Sequence, residues 1–226
     1  MDCRVNHMAR TYSNKSEKLP ETDLTSKVVL ASNNAGKLHE LRALLYDTHL
    51  ECESQAQHNV PEVQEIGLTF IENAIIKARN ACRWAHLPAI ADDSGLEVDF
   101  LQGQPGVHSA RYAGEGATDQ KNLQKLLREL QGVNDKERTA RFQCAVVYLR
   151  FESDPSPLVF LGTWEGQITT SAKGKNGFGY DSVFLAAGLK RTSAELEPEQ
   201  KNRLSHRCKA MRQLVEKLQR QNLPHN

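Results

Sequence analysis

A strand-like apolar run that leads into two adjacent carboxylates constrains this chain more than any other segment. The run Leu87–Ile90 continues as Ala91-Asp92-Asp93-Ser94-Gly95-Leu96. Adjacent carboxylates each raise the free energy of ionising the other, so strands seldom end this way without a compensating cation. Oxygen ligands at a strand end, with Gly95 to let the backbone turn, suit a Mg²⁺ ion that binds phosphates. A solvent-exposed Asp-Asp-Ser-Gly turn is the alternative that the segment leaves open.

A second segment combines a buried strand, a short polar loop and the start of a helix. Residues 28–37 read Val-Val-Leu-Ala-Ser-Asn-Asn-Ala-Gly-Lys, and leucines at 38, 41, 44 and 45 predict the apolar face of a following helix. Backbone N–H groups and the helix dipole favour an anion there, and Lys37 adds a positive charge. A Walker A loop is excluded, because it requires Gly in place of Ala31 and Ser or Thr in place of Leu38. A plain strand-to-helix turn with a surface lysine is the alternative.

A third segment, Gly177-Phe178-Gly179-Tyr180-Asp181, places an aromatic residue between two glycines. Glycines let a backbone approach a ligand closely, and an exposed ring stacks on a nucleobase. A β-bulge or hairpin turn with one core aromatic would give the same pattern.

Six segments in chain order carry a family resemblance. They are Ser32–Lys37, Gly67–Ala74, Ala91–Leu96, Pro105–Tyr112, Gly177–Asp181 and Ser205–Arg207. Together they resemble the inosine triphosphatase family, and in particular its bacterial XTP/dITP diphosphatases, over about residues 27 to 220. One small departure is Ser32-Asn33, where the family often has Thr-Gly or Thr-Asn, and Ser32 keeps the hydroxyl.

The resemblance implies a reaction and a fold. The reaction is Mg²⁺-dependent hydrolysis of ITP, dITP and XTP to the monophosphate and pyrophosphate, which cleanses the nucleotide pool. The fold is α/β, with a long central mixed sheet flanked by helices and a nucleotide cleft between two lobes. Alternating helix and strand patterns predict the same fold class. The six segments are dispersed along the chain and must converge on one site, which predicts the cleft.

The resemblance also implies the roles of individual residues. Asp93 serves as the catalytic base, and Asp93, Glu65 and Asp92 serve the metal. Whether Asp92 is a direct ligand or supports one stays open, and a solvated acidic loop is the alternative for Glu65. Phosphate binding falls to Ser32, Asn33, Asn34, Ala35, Gly36, Lys37 and Lys77. Substrate binding around the base falls to Ser94, Phe178, Gly179, Tyr180, Asp181, Lys201, His206 and Arg207.

The base preference follows from donors and acceptors. Hypoxanthine and xanthine present a 6-oxo acceptor, which suits the pure donor Arg207, whereas adenine presents an amino group there. His206 is either part of this pocket or an ordinary histidine on a helix surface.

Composition excludes several other classes of protein. The 226 residues carry a net charge of +1 and show no basic patch, which argues against nucleic-acid binding. No apolar run reaches the roughly 18 residues of a membrane span. Five scattered cysteines without CxxC spacing favour reduced thiols and a cytoplasmic protein. A homodimer is implied by the family resemblance alone.

Residues 1–26 differ from the rest of the chain. They are polar, lack hydrophobic periodicity and contain no apolar core of a secretory signal. We predict a disordered extension, followed by one nucleoside triphosphate pyrophosphatase domain over residues 27–226. A mis-assigned start and an organellar transit peptide are the alternatives.

Periodicity and cap residues predict the remaining elements. In chain order these are a short strand and loop over 50–60, a helix from Phe70 to about His86, a helix beginning at Thr118-Asp119, a strand over Phe142–Tyr148, a hairpin over Leu158–Thr170 and a helix over Glu199–Arg220.

Two other functions compete with this interpretation. A nonenzymatic nucleotide-binding module is disfavoured because Asp92, Asp93, Lys37 and Lys77 are all retained. A sanitiser of dUTP or oxidised purines is the other, and the chain lacks the G-x₅-E-x₇-R-E acidic helix motif of the oxidised-purine class.

Overall fold

Six strands form one mixed sheet in the order β2-β1-β3-β4-β5-β6. β1 runs parallel to β2 and to β3, and the remaining neighbours are antiparallel. The computed structural model describes residues 27–46, 48 and 50–221, so the extension predicted for residues 1–26 lies outside the described residues. The strands are β1 Lys27–Leu30, β2 Glu51–Ser54, β3 Ala89–Val98, β4 Thr139–Leu149, β5 Leu158–Ile168 and β6 Phe184–Ala186. The helices are α1 Ala35–Leu45, α2 Phe70–Ala85, α3 Asp119–Glu129, α4 Pro198–Leu204 and α5 His206–Gln221.

The cap residues begin the helices where the sequence predicts. Thr69 caps α2: its hydroxyl accepts a hydrogen bond from the Glu72 N–H, and the Glu72 carboxylate accepts one from the Thr69 N–H. Thr118 caps α3 in a similar way. Ala74, Ala78 and Ala81 of α2 are fully buried, and their small side chains let the helix lie close to the sheet.

Three hydrophobic cores divide the molecule into two lobes. Two cores cover opposite faces of the sheet at one end, where α1 and α5 lie on one face and α2 on the other. The third core lies at the other end, between α3, β6 and the far ends of β3, β4 and β5. We call these ends the β1 lobe and the β6 lobe. The predicted two-lobed α/β fold with a long mixed sheet is confirmed.

Asp92 and Asp93 lie inside β3, and the prediction that they end a strand was wrong. β1 pairs with β3 only as far as Leu30 opposite Ile90, whereas β4 continues beside β3 past both carboxylates. β3 therefore loses its neighbour on one side at the point where the two carboxylates occur. Gly95 does not turn the chain; it lets β3 pass close to the Gly106 carbonyl, which an added Cβ would approach to 2.3 Å.

The predicted hairpin over Leu158–Thr170 is instead the single strand β5. Gly162 lies in its middle because α5 crosses there: an added Cβ would lie 2.0 Å from the His206 carbonyl oxygen. A glycine within a strand thus marks a close backbone approach here rather than a turn.

The predicted helix over Glu199–Arg220 is two helices. Ser205 adopts an extended conformation (φ −65°, ψ 156°) between α4 and α5, and its hydroxyl accepts the backbone N–H of Cys208. A serine that caps a new helix reads, in sequence, like one in a helix interior. The break places His206 at the very start of α5.

Two expectations from composition also have structural counterparts. Cys52, Cys82, Cys144 and Cys208 are free thiols, and Cys3 lies outside the described residues. Within the described part of the chain, each helix is too short or too polar to cross a lipid bilayer.

Candidate active site

A cavity of about 470 Å³ opens between the two lobes, beside the C-terminal end of β1. This volume lies in the usual range of small-molecule sites, roughly 300–1,000 Å³. Most of the predicted site residues line it, whereas Ala35, Gly36 and Asp92 do not. The predicted residues that line it are Ser32, Asn33, Asn34, Lys37, Glu65, Lys77, Asp93, Ser94, Phe178, Gly179, Tyr180, Asp181, Lys201, His206 and Arg207.

The loop after β1 and the first turn of α1 form one end of the cavity. Asn34 caps α1 by accepting the Lys37 N–H at 3.0 Å, and its own N–H donates to the Ser32 hydroxyl at 3.2 Å. The free N–H groups of a helix N-terminus and the Lys37 ammonium give this end a positive potential. Gly36 is required by the loop that carries Phe178, since an added Cβ would lie 2.8 Å from the Phe178 ring.

Asp93 and Lys77 form the second feature of the cavity. The Lys77 ammonium lies 2.9 Å from Asp93 Oδ1 and 3.2 Å from Glu65 Oε1. Burial raises the pKa of Asp93 above its ordinary value, and the positive charges of Lys77 and Lys37 only partly offset this. Burial alone would lower the pKa of Lys77, but Asp93, Asp92 and Glu65 outweigh it and raise that pKa. A carboxylate with a raised pKa in a cavity has the properties of a general base.

Asp92 lies behind the cavity wall and is 1% exposed. Its Oδ2 lies 3.1 Å from the Lys37 ammonium, and it accepts bonds from Arg207 Nε at 3.3 Å and the Ser94 hydroxyl at 3.2 Å. Burial alone would raise the pKa of Asp92, but Lys37, Arg207 and Lys77 together hold it well below its ordinary value. Asp92 is therefore a permanent anion that connects the phosphate end of the cavity to Arg207.

The segment around Phe178 forms the opposite end. The Phe178 ring is half-buried, and the Lys201 ammonium lies 5.0 Å from its centroid. Tyr180 is buried instead, and its hydroxyl donates to the Ser109 carbonyl at 2.9 Å. Asp181 accepts the Phe178 N–H at 2.9 Å and lies 2.8 Å from the Lys201 ammonium. Phe178 thus provides the aromatic face, while Asp181 holds the loop in place.

His206 and Arg207 close the same end from the start of α5. The His206 ring stacks on Phe142 with centroids 4.9 Å apart, and Nδ1 has no hydrogen-bond partner among the described residues. Burial, together with the charges of Arg207 and Lys201, lowers the pKa of His206 well below its ordinary value, so the ring is neutral. Arg207 is 2% exposed and also donates from Nη2 to the Ser94 hydroxyl at 3.1 Å.

Two residues of this site were missed by the sequence analysis. Glu40 of α1 is buried and accepts hydrogen bonds from both Lys201 and Arg207. Asn73 of α2 donates to Asp93 at 3.3 Å and accepts the Gly67 N–H at 2.8 Å. Helical spacing could have indicated both residues. Glu40 lies three residues after Lys37 on the side of Leu41 and Leu44, and Asn73 lies one turn before Lys77.

The donor set agrees with a magnesium ion held partly by its substrate. No three His, Cys, Asp or Glu side chains among the described residues group closely enough to enclose a metal ion by themselves. Mg²⁺ is usually bound by one or two carboxylates together with substrate phosphates, and keeps several waters. Asp93 and Glu65 supply two carboxylates on either side of the Lys77 ammonium, where positive charge is already stabilised. Asp92, which does not line the cavity, suits the supporting role.

Comparison with known proteins agrees with this geometry. A model of the Ham1 family matches residues 28–217. A dITP/XTP pyrophosphatase of Vibrio parahaemolyticus is 57% identical over 195 residues, which cover 86% of this chain and 98% of that protein. The Escherichia coli O157:H7 dITP/XTP pyrophosphatase is 55% identical over 192 residues, covering 85% of this chain and 98% of the relative.

Solved structures show the same architecture. A HAM1 protein from Coxiella burnetii superposes with a TM-score of 0.80 at 47% identity, covering 86% of this chain and 98% of that one. The Staphylococcus aureus Ham1 protein gives a TM-score of 0.77 at 38% identity, covering 87% and 100%. The resemblance found in the sequence motifs is thereby confirmed, and this chain belongs to the Ham1 family.

Proposed function

We propose that this protein hydrolyses the nonstandard purine nucleoside triphosphates dITP, XTP and ITP to the monophosphate and pyrophosphate, with Mg²⁺ as cofactor. The observation that carries the proposal is one cavity that joins a cationic helix N-terminus to Asp93 and to an aromatic, donor-rich end. The names of the closely similar relatives support the same reaction. The activity would remove these nucleotides before their incorporation into DNA or RNA.

The phosphate end neutralises the triphosphate. Lys37 and Lys77 line the cavity and would face a ligand that carries about four negative charges, and the N-terminus of α1 adds positive potential beside them. Stabilising this charge in the transition state is mainly a matter of positioned donors and cations. Ser32 and Asn34 hold the loop that presents them.

Asp93 is suited to activate water. Its carboxylate lines the cavity and can accept the proton of the water whose oxygen bonds to the α-phosphorus, while the bond from that phosphorus to the bridging oxygen breaks. Pyrophosphate leaves with the electron pair of that bond. Asn73 and Lys77 fix the two Asp93 oxygens and so orient the base.

Magnesium fits the two carboxylates that border Lys77. Asp93 and Glu65 would hold it, and a bound ion supplies charge neutralisation and polarises a phosphoryl oxygen.

The aromatic end of the cavity is suited to select the nucleobase of the substrate. Phe178 supplies a ring face, and Arg207 and neutral His206 supply N–H donors near it. A 6-oxo purine accepts such bonds, whereas the 6-amino group of adenine leaves buried donors unpaired. The homodimer implied by the family resemblance and the cytoplasmic location favoured by the scattered cysteines remain parts of this proposal.

The test is a product analysis with ITP and Mg²⁺. We expect IMP and pyrophosphate without an IDP intermediate, and far slower turnover of ATP. Chromatography of the nucleotides, with pyrophosphate measured directly, distinguishes this from release of the γ-phosphate. Equal rates on ATP and ITP, or inorganic phosphate without a coupled pyrophosphatase, would contradict the proposal. Binding without turnover would favour the nonenzymatic module.

A further inference from the structure

Glu40 contacts both Lys201 and Arg207, the two cations at the aromatic end of the cavity, although it does not line the cavity itself. It lies on α1 and is 8% exposed. Its Oε1 accepts from the Lys201 ammonium at 2.9 Å, and its Oε2 accepts from Arg207 Nη1. Among the described residues, it is the carboxylate that contacts both cations.

Burial makes the contacts of Glu40 with Arg207 and Lys201 important for the site. Arg207 and Lys201 are 2% and 6% exposed, so their charges depend on protein partners rather than on water. Asp92 holds Arg207 from one side and Asp181 holds Lys201 from the other, and Glu40 lies between them. These side chains form one buried series of alternating charge, Lys37–Asp92–Arg207–Glu40–Lys201–Asp181.

The series also supports the aromatic face of the site. The Lys201 ammonium and the Arg207 guanidinium lie 5.0 and 6.0 Å from the centroid of the Phe178 ring. The first turn of α1 contacts the same ring through Gly36. Helix α1 therefore contributes to both ends of the cavity. Its N-terminus lies at the phosphate end, and Glu40 in its second turn contacts the cations at the aromatic end.

We propose that Glu40 is a positioning residue for base selection: it fixes the guanidinium of Arg207, and thereby sets the preference for a 6-oxo over a 6-amino purine. The proposal deepens the function proposed above and rests on it. Glu40 acts through Arg207, whereas Asp93 and Lys77 form a separate set of contacts at the water-activating end.

The test compares Glu40→Gln with the wild type on ITP and ATP. The amide keeps the size of the side chain but has no charge, and its NH2 group replaces the oxygen that accepts from one of the two cations. We expect KM for ITP to rise and the ITP-over-ATP ratio of kcat/KM to fall, each by about tenfold. The kcat for ITP, measured per active site, should stay within a few-fold. A purely structural role would lower thermal stability and the active fraction without changing KM or the ratio.

Controls separate Glu40 from general destabilisation. Asp154→Asn removes another buried carboxylate, which pairs with Arg150 away from the cavity, and should lower stability while the substrate ratio is kept. In an Arg207→Ala background, Glu40→Gln should change the ratio no further, because Glu40 acts through Arg207. Glu40→Asp, which keeps the charge but is one methylene shorter, should retain part of the preference.

The assays separate the role of Glu40 from the activity of the protein. An unchanged ratio in Glu40→Gln, or an additive effect in the Arg207→Ala background, would overturn the role of Glu40. If Glu40→Gln does not fold, the ratio measured for Glu40→Asp decides in its place. Failure of the wild type to hydrolyse ITP would instead overturn the proposed function, and the two failures are distinguished by the wild-type assay alone.

Discussion

Asp92 and Asp93 are neighbours in sequence with opposite pKa shifts. Successive side chains of a strand point to opposite faces, so Asp92 meets Lys37 and Arg207 on one face of β3 and Asp93 meets α2 on the other. Cations hold the pKa of Asp92 low, and burial raises the pKa of Asp93. Two carboxylates with separated pKa values are suited to different tasks.

Asp93→Asn tests the assignment of the base. The amide keeps the size of the side chain but cannot take a proton from water, so we expect kcat to fall by roughly 10²-fold or more. Circular dichroism and the thermal unfolding midpoint should show that the fold is kept. Asp99→Asn removes an exposed carboxylate outside the cavity and should retain turnover. Near-wild-type turnover of Asp93→Asn would transfer the role to Asp92 or Glu65.

His206 predicts a pH dependence of stability. Its pKa in the folded protein lies well below the value of about 6.5 that an unfolded histidine has. As pH falls below this value, the unfolded chain binds a proton at His206 that the folded protein does not, so the folded state loses stability. The contribution of neutral His206 to the stability of the folded state is fully present above about pH 6.5 and is lost as the pH falls below it.

Denaturant unfolding of the wild type and of His206→Gln between pH 5 and 8 measures this effect. The wild type should lose stability relative to the variant by up to about 1.4 kcal/mol per pH unit below pH 6.5. Above pH 6.5 the difference should be constant, which provides an internal control. A difference that does not vary with pH would mean that the folded protein protonates His206 normally.

The sequence identified most of the polar and charged residues of the site, but it did not show which of them contact each other. Most of the residues predicted from the phosphate loop, together with Asp93 and Phe178, line one cavity, whereas Ala35 and Gly36 do not. Glu40 was missed because its importance comes from Lys201 and Arg207, which are more than 160 positions away. Local patterns carry no information about such distant partners.

At the scale of elements, β5 and α5 depend on their close approach at Gly162. Replacing Gly162 by Ala places a Cβ 2.0 Å from the His206 carbonyl oxygen and 2.9 Å from the Ala210 nitrogen. Neither backbone atom can move freely, so we expect a loss of about 2 kcal/mol or more in the free energy of unfolding. Since His206 begins α5, KM for ITP should rise as well.

Leu161→Ala is the matched control for Gly162→Ala. It alters the adjacent position of β5, whose side chain is 55% exposed, and should change stability much less. Equal unfolding midpoints for the two variants would show that α5 does not lie on β5 as described.

Helix caps and leucine stripes predicted α1, α2 and α3 correctly, whereas long-range packing decided the elements that were mispredicted. Gly162 and Gly166 suggested turns, but α5 crosses β5 closely at Gly162, and the Leu185 carbonyl of the paired strand β6 leaves no room for a Cβ at Gly166. Ser205 ended a helix because its hydroxyl caps the next one. In each case the residue type was informative and its partner was not visible in sequence.

For the whole molecule, residues 1–26 are predicted to be dispensable. The family model begins at residue 28, and 98% of the length of close relatives aligns with 86% of this chain. A protein that lacks residues 1–26 should keep kcat/KM within a few-fold and an unchanged unfolding midpoint. A longer deletion through residue 34, which removes β1 and the phosphate loop, should fail to fold. Loss of activity in the shorter deletion would show that the segment contributes to the structure.

β3, β4 and β5 run without interruption through both lobes, and this limits how the cleft can move. The antiparallel register joins β3 to β4 from Ala89 to Val98 and β4 to β5 from Thr139 to Tyr148. Opening the lobes about a loop hinge would require breaking this ladder, whereas a change in sheet twist would not. We therefore expect any opening of the cavity to involve the segments that line it outside the sheet, at residues 61–63 and 178–180. A hinge between the two lobes would have to cross three continuous strands.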